Sequence, residues 1–228
     1  MPYWLIILLF FLPTASFAQD ELPSAQPTMT LIAADGSESE EVSYDGSAPL
    51  QTRFRSNPTN IGSYTPYYEW RFTREGEAKP FLIRYDEDTE YTFSESGAFT
   101  VELLISFVAG SDTITFNTEE PFRINIRESK LEIPNAFSPN GDGINDVFRV
   151  KDGYESIVSF HAIVFNRWGK KLYEWSDLEG GWDGRAGGCD VPDGAYYLVV
   201  KARGADGRNY DTKKVINILR GYTEESGQ

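Results

Sequence analysis

Every second residue between positions 98 and 108 is a large apolar one. This alternating set consists of Phe99, Val101, Leu103, Ile105 and Phe107. Successive side chains of a β-strand point to opposite faces of a sheet, so the spacing predicts a strand with one buried face. Such a face needs a second layer to cover it, and the stretch therefore predicts a sheet packed within a sandwich.

Strand-like runs fill the rest of the first half. They cover residues 29–33, 50–54, 64–72, 81–85 and 114–126, and turn-forming pairs such as Asp-Gly, Asn-Pro and Glu-Gly separate them. The 13 Tyr, 15 Phe and 5 Trp residues of the chain also favour strands over helices. No stretch has a sustained helical period. We predict an antiparallel β-sandwich over residues 29–128.

The second half carries a similar set of strand-like runs. They cover residues 147–151, 157–168, 171–175, 194–202 and 213–219. These runs predict a second, smaller β-sandwich over residues 131–220, followed by a flexible polar tail over 221–228. Because residues 128–132 lack the Gly/Ser composition of a flexible linker, we expect the two sandwiches to abut. The predicted fold class is all-β.

The first 19 residues have no charged side chain, and residues 4–12 are an unbroken apolar run. This run is shorter than the roughly 20 residues that span a bilayer, and the small residues Ser16 and Ala18 suit cleavage. We predict a signal peptide over residues 1–18 and a linker over residues 19–28. An uncleaved membrane anchor is the alternative. No later run is long enough to span a membrane.

The charge of the chain is uneven. Residues 20–130 contain 20 acidic and 9 basic side chains, whereas residues 131–228 contain 15 acidic and 12 basic ones. An acidic surface repels phosphate backbones and anionic lipid headgroups. We therefore expect neither nucleic acid nor an anionic membrane surface as a partner.

The inventory of reactive side chains argues against an enzyme. His161 is the sole histidine and Cys189 the sole cysteine. Together they cannot supply the ligand set of a zinc site, and the sequence has no Gly-x-Ser-x-Gly elbow. A single cysteine also excludes an internal disulfide. We predict a non-enzymatic protein with no catalytic residues.

One loop within residues 133–148 is rich in side chains that carry oxygen. These side chains are Asn140, Asp142, Asn145 and Asp146, and Gly141 and Gly143 between them permit tight turns. Hard cations such as Ca²⁺ bind where oxygens are this dense, although the spacing is not that of an EF-hand. Alternatively, the side chains cap backbone amides in Asx turns. The sequence leaves a calcium site and a capped turn both open.

Two motifs of the first half resemble a known family. The motif Y-E-W-R-F over residues 68–72 is followed by Y-T-F over 91–93 and G-A-F-T-V over 97–101. This pattern resembles the polycystic-kidney-disease (PKD) type of immunoglobulin-like domain, in which the tryptophan is a core residue. The resemblance implies that Trp70 is buried. The alternative is a carbohydrate-binding face on which Trp70, Tyr64, Tyr67 and Tyr68 stack.

The second half resembles the gliding-motility-associated C-terminal domain, the type B sorting domain of type IX secretion in Bacteroidota. The motifs are I-P-N-A-F-S-P-N-G-D-G-I-N-D-V-F over residues 133–148, V-F-N-R-W-G-K-K-L-Y over 164–173, W-D-G-R over 182–185 and V-P-D-G-A-Y-Y-L-V-V over 191–200. With both resemblances, the expected architecture is two consecutive antiparallel immunoglobulin-like β-sandwiches after a signal peptide.

The second resemblance implies a route and a location. A protein of this kind is exported through the type IX translocon and held at the cell surface by a PorP/SprF-like outer membrane protein, with periplasmic transit on the way. Because little chain precedes the sorting domain, we expect an accessory or component of the secretion and gliding apparatus. A surface adhesin or carbohydrate-binding module is the alternative.

The resemblance also marks residues for sorting or partner binding. They are Pro134, Asn135, Phe137, Pro139, Asn140, Gly141, Asp142, Gly143, Asn145, Asp146, Trp168, Gly169, Trp182, Asp183, Gly184, Lys213, Lys214 and Arg220. Residues 213–219 are expected to form an edge strand that a partner completes, with nearby basic side chains attracting acidic groups. Alternatively, the lysines keep a solvated edge from aggregating.

Overall fold

The computed structural model describes residues 21–221, in which every regular element is a β-strand. The predicted signal peptide, the first part of the predicted linker and the tail beyond residue 221 lie outside the described residues. We refer to residues 21–128 as the first unit and to residues 129–221 as the second unit. No helix within residues 21–221 is long and apolar enough to cross a membrane.

The first unit contains two facing sheets. Its strands are β1 (Ser24–Ala25), β2 (Thr28–Ile32), β3 (Glu38–Glu41), β4 (Ser43–Gly46), β5 (Leu50–Arg55), β6 (Pro58–Thr59), β7 (Thr65–Arg74), β8 (Leu82–Arg84), β9 (Thr89–Phe93), β10 (Gly97–Ala109), β11 (Asp112–Asn117) and β12 (Phe122–Ile126). One sheet has the order β3-β2-β5-β9. The other has the order β4-β12-β10-β7-β8, and β11 also pairs with β10.

The core of the first unit lies between these sheets. The five alternating apolar residues of β10 are each at most 4% exposed. From the opposite sheet, the ring of Phe54 lies 5.7 Å from that of Trp70 and 5.6 Å from that of Phe72. The side chains of the two sheets therefore interdigitate, as expected of a sandwich. The all-β fold class is confirmed.

The second unit is built on one larger sheet. Its strands are β13 (Ala136–Phe137), β14 (Ile157–Phe165), β15 (Lys171–Trp175), β16 (Arg185–Ala186), β17 (Cys189–Asp190), β18 (Gly194–Gly204) and β19 (Asn209–Ile218). The five-stranded sheet has the order β13-β19-β18-β14-β15, while β16 and β17 pair with each other. Buried side chains of irregular segments, among them Phe148, Val150 and Trp182, pack in the core of this unit.

Two strand predictions in this chain are wrong. Residues 147–151 do not form a strand, although Phe148 and Val150 alternate into the core, because Phe148 has only an isolated bridge to Trp182. Residues 114–126 form two strands, β11 and β12, because the chain turns between them.

The predicted linker over residues 19–28 is also wrong where the structure describes it. Strand β1 pairs with β6, and Ala25 is 7% exposed within the core cluster. Gln26 N donates a hydrogen bond of 3.1 Å to Asn57 O. The Pro/Ser/Gln composition is misleading here, since short edge strands tolerate such residues.

The two units contact each other directly. Ala48 N of the first unit donates to Ser156 Oγ at 3.2 Å, and Ser96 N donates to Ala205 O at 3.0 Å. In the connecting segment, Ser129 Oγ donates to Asp206 Oδ1 at 2.7 Å. Ala205, in the turn between β18 and β19 of the second unit, belongs to the core cluster of the first unit.

Candidate functional site

The oxygen-rich loop is a set of Asx turns. Gly141 N and Gly143 N donate to the two carboxylate oxygens of Asp146 at 2.7 and 2.8 Å. Ile144 N donates to Asp142 Oδ1 at 2.8 Å, and Asp142 N donates to Asn140 Oδ1 at 3.0 Å. These bonds fix the loop from within.

Positive φ angles explain the glycines of this loop. Gly141 has φ +83°, Gly143 has φ +87°, and Asn145 has φ +53°. Glycine adopts this region without steric cost, and asparagine tolerates it better than most residues. The sequence of this loop therefore encodes its backbone shape.

The same two backbone amides stabilise the negative charge of Asp146. The hydrogen bonds from Gly141 and Gly143 lower the pKa of the Asp146 carboxyl below its ordinary value. Its two oxygens serve the backbone, and the described residues contain no group of three or more His, Cys, Asp or Glu side chains that could hold a metal. The observed bonding is that of the capped turn, and calcium stays a prediction.

Chelation and one substitution separate these alternatives. We expect the melting temperature of the protein to be unchanged by EDTA and to fall in Asp146→Ala, because two amides lose their acceptor. Asp152→Ala is the matched control, since its exposed carboxylate accepts no hydrogen bond in the described part of the chain. A melting temperature that falls with EDTA and recovers with Ca²⁺ would instead establish a calcium site.

Next to the loop over residues 140–146 lies an aromatic cluster, whose members come from three of the sequence motifs. The ring of Phe137 lies 5.6 Å from that of Phe148 and 5.5 Å from that of Trp182. Trp182 also lies 5.3 Å from the ring of Tyr196 and donates from Nε1 to Arg185 O at 2.7 Å. Trp182 is fully buried, so it supports the fold and is not available to a partner.

Arg220 closes this end of the second unit. Its Nη1 donates to Val191 O at 2.6 Å and to Asp193 Oδ1 at 2.8 Å, and its Nη2 donates to Gly184 O at 3.1 Å. A Cβ on Gly184 would lie 3.1 Å from both Arg220 Nη2 and Pro139 Cγ. Arg220 therefore holds this end of the unit together, and its role in attracting a partner stays a prediction.

Three further motif residues complete this end of the unit. Pro134 and Asn135 lead into β13, where Asn135 O accepts a hydrogen bond of 2.9 Å from Asn217 N. Asp183 caps its own turn, since Asp183 Oδ1 accepts from Arg185 N at 3.0 Å. Most of the residues marked by the sequence thus lie at one end of the second unit, where their hydrogen bonds and packing stabilise the fold.

Trp168 lies apart from this end and is 75% exposed. It sits at the tip of the β14–β15 hairpin, where Asn166 Oδ1 accepts from Trp168 N at 3.0 Å and Gly169 has φ +79°. The guanidinium of Arg167 lies 4.4 Å from the indole centroid. Trp168 is open to a partner, whereas Trp182 of the same motif set is not.

The two lysines of β19 have different surroundings. Lys213 is exposed, while Lys214 is half-buried and donates from Nζ to Ile133 O at 2.9 Å. Burial lowers the pKa of Lys214, and nearby Lys151 lowers it further. The predicted edge strand 213–219 is wrong at its end, because β13 pairs there with Asn217 and Ile218.

The first unit does not present the aromatic face considered for carbohydrate. Trp70 is fully buried and donates from Nε1 to Glu87 O at 3.2 Å. Tyr68 is half-buried, and the Tyr64 hydroxyl donates to Asp112 Oδ2 at 2.5 Å. Tyr67 is the exposed member of the set, at 61%. Trp70 is a core residue, as the PKD resemblance implied.

Residues 131–218 match the family model described as the CHU_C type IX secretion signal domain. The second unit is a type IX secretion signal domain. The match begins two residues after the start of this unit and ends with the last residue of β19. The match supports export of the chain by the type IX system. Among proteins with curated descriptions, none matches the chain.

Solved structures similar to this chain differ greatly from it in sequence. Dimeric latent PorU from Porphyromonas gingivalis is 10% identical over 88% of this chain and 20% of its own, with a TM-score of 0.26. A tetra-tandem repeat of a large adhesion protein is 10% identical over 88% of this chain and 68% of its own, with a TM-score of 0.28. The FN1–FN3 domains of chicken CNTN1 are 11% identical over 83% of this chain and 76% of their own, with a TM-score of 0.23. The chain thus spans about a fifth of the length of PorU.

Proposed function

We propose that this chain is a non-enzymatic protein that the type IX system delivers to the cell surface, where a PorP/SprF-like outer membrane protein holds it. The match of the signal-domain model to nearly the whole second unit carries this proposal. The first unit adds one sandwich, and we further propose that it serves the secretion and gliding apparatus as an accessory. The adhesin alternative loses support because Trp70 is buried.

The surroundings of His161 support a non-enzymatic role. His161 Nδ1 lies 2.9 Å from Ser176 Oγ, which is the kind of pairing that a nucleophile and a base need. However, His161 Nε2 is 4.0 Å from Glu174 Oε2, and that carboxylate already binds Lys171 Nζ at 2.7 Å through its other oxygen. Lys171, Glu174 and Ser176 are exposed and His161 is only half-buried, so this group of side chains does not exclude water.

Removal of the second unit tests the proposal. We expect that deleting residues 131–228 traps the remaining chain in the periplasm, because the address for the translocon is lost. Protease treatment of intact cells, followed by immunoblotting of cell fractions, measures this. The full-length chain is the control and should be accessible to the protease. A deletion variant that is equally accessible at the surface would contradict the proposal.

A further inference from the structure

One side of strand β19 is mostly unpaired. Strand β19 pairs with β18 from Asn209 to Ile218, whereas β13 pairs with it only at Asn217 and Ile218. The side of β19 away from β18 is thus open along residues 209–215. Most edge strands are shorter or are interrupted by bulges, which limits pairing with other chains.

Hydrogen bonds at both ends of β19 show which peptide groups face the open side. Asn217 N and Leu219 N donate away from β18, to Asn135 O and Phe137 O, at 2.9 and 3.0 Å. At the other end, Arg208 O accepts from Gly204 N at 2.8 Å and so faces β18. Peptide groups alternate in direction along an antiparallel strand. The amides and carbonyls of Asp211, Lys213 and Val215 therefore face outward, and they make no hydrogen bond in the described part of the chain.

The backbone of the neighbouring segment of the same chain is hydrogen-bonded to residues 151–155. Lys130 and Glu155 exchange two backbone hydrogen bonds, of 2.9 and 3.0 Å. Lys151 N then donates to Glu132 O at 3.0 Å. The segment before β13 contacts β19 only through side chains: the Tyr210 hydroxyl donates to Ser129 O at 3.0 Å, and Lys214 Nζ donates to Ile133 O at 2.9 Å. It forms no backbone pair with residues 209–215 of β19.

Side chains beside the open edge define the chemistry of an occupant. Lys213 is exposed, and Lys214 and Lys151 lie close enough for their charges to interact. Val215 is 46% exposed, and Tyr197, its register partner on β18, is 50% exposed. An added strand would be favoured by an acidic side chain beside Lys213 and an apolar one beside Val215.

We propose that residues 211–215 of β19 accept an extended segment of the outer membrane partner, which adds a strand to the sheet through backbone hydrogen bonds. The segment carries an acidic residue beside Lys213. This inference rests on the proposed function, since it assigns the surface through which the anchoring partner holds the second unit.

Proline at position 213 tests the backbone bond. Lys213→Pro removes an outward amide that β18 does not use, and edge strands tolerate proline at such positions. We expect the full-length variant to be exported and folded but released into the medium, with cell attachment about tenfold lower. Lys213→Ala is the matched control, because it removes the charge and keeps the amide, and it should lose less attachment. Asp211→Pro replaces Lys213→Pro if the latter fails to fold in thermal denaturation.

Other outcomes overturn the proposal. Attachment of the proline variant at the level of the wild type would show that the edge is not used. Equal losses for Lys213→Pro and Lys213→Ala would assign the effect to charge alone. A purified wild-type dimer that Lys213→Pro converts to a monomer would assign the edge to a second copy of the chain. Retention of the proline variant in the periplasm would assign it to the translocon, whereas failure of the proposed function itself would appear as surface exposure of the chain lacking residues 131–228.

Discussion

Replacing Trp182 with alanine is expected to lower the free energy of unfolding of the second unit by about 3–5 kcal/mol. Trp182 is fully buried, and its ring contacts those of Phe137 and Tyr196. The substitution leaves a cavity at the centre of this cluster and leaves Arg185 O without the indole donor. Chemical denaturation of the purified full-length chain, followed by tryptophan fluorescence and circular dichroism, measures the loss.

Trp168→Ala is the matched control for this experiment. The two tryptophans belong to the same set of sorting motifs, but Trp168 is 75% exposed. Its contact with Arg167 is a solvent-exposed cation–π pair, so we expect a change of at most about 1 kcal/mol. Equal losses for the two variants would contradict the assignment of Trp182 to the core.

In cells, the two tryptophan variants distinguish a loss of folding from a loss of partner recognition. We expect Trp182→Ala to prevent export by unfolding the second unit, whereas Trp168→Ala leaves a folded protein whose surface attachment reports on contact with a partner. A folded Trp168→Ala protein that is exported normally would show that sorting does not depend on this exposed indole.

Periodic patterns in the sequence predicted the parts of the fold that depend on neighbouring residues. The alternation around Phe99 and Phe107 identified β10 with the correct buried face, and the W-x-F motif placed Trp70 in the core. In the second half, the glycines and Asx residues of residues 140–146 predicted a shaped turn. Such turns depend on local backbone preferences, which the sequence shows directly.

The remaining features depend on contacts between residues distant in sequence. Ala25 is buried because β6 supplies a pairing partner for a segment whose composition is that of a linker. Arg220 holds one end of the second unit together because three residues of the loop over positions 184–193 converge on its guanidinium. In β19, the extent of the open edge depends on where β13 begins. A periodic pattern in the sequence does not show these contacts, because they depend on which distant segments the fold brings together.

The sequence predicted that the two sandwiches abut, but not the side chains that join them. Ser129 N and Oγ both donate to the carboxylate of Asp206, at 3.3 and 2.7 Å. The hydroxyl of Tyr210 donates to Ser129 O at 3.0 Å. Ser129 is 5% exposed, so these bonds are shielded from water. The residue that joins the units is thus held by the hairpin between β18 and β19.

Gly204→Ala is expected to disrupt this junction. A Cβ at position 204 would lie 2.1 Å from Ser129 Oγ, 2.3 Å from Ser129 Cβ and 2.4 Å from Asp206 Oδ1. Ser129 cannot move aside without breaking its bonds to Asp206, so we expect the free energy of unfolding to fall by about 1–3 kcal/mol. Thermal and chemical denaturation of the full-length chain measure the change.

Gly221→Ala is the matched control, because a Cβ there meets no atom within 4 Å. We expect its stability to equal that of the wild type.

A second substitution identifies the clashing partner: Ser129→Gly removes both Ser129 atoms from the path of the new methyl group. The double variant should therefore lose less stability than the sum of the two single variants, since the sites are in contact and their effects are coupled. Strict additivity, or a Gly204→Ala protein as stable as the wild type, would show that the connection between the units is looser than these distances indicate.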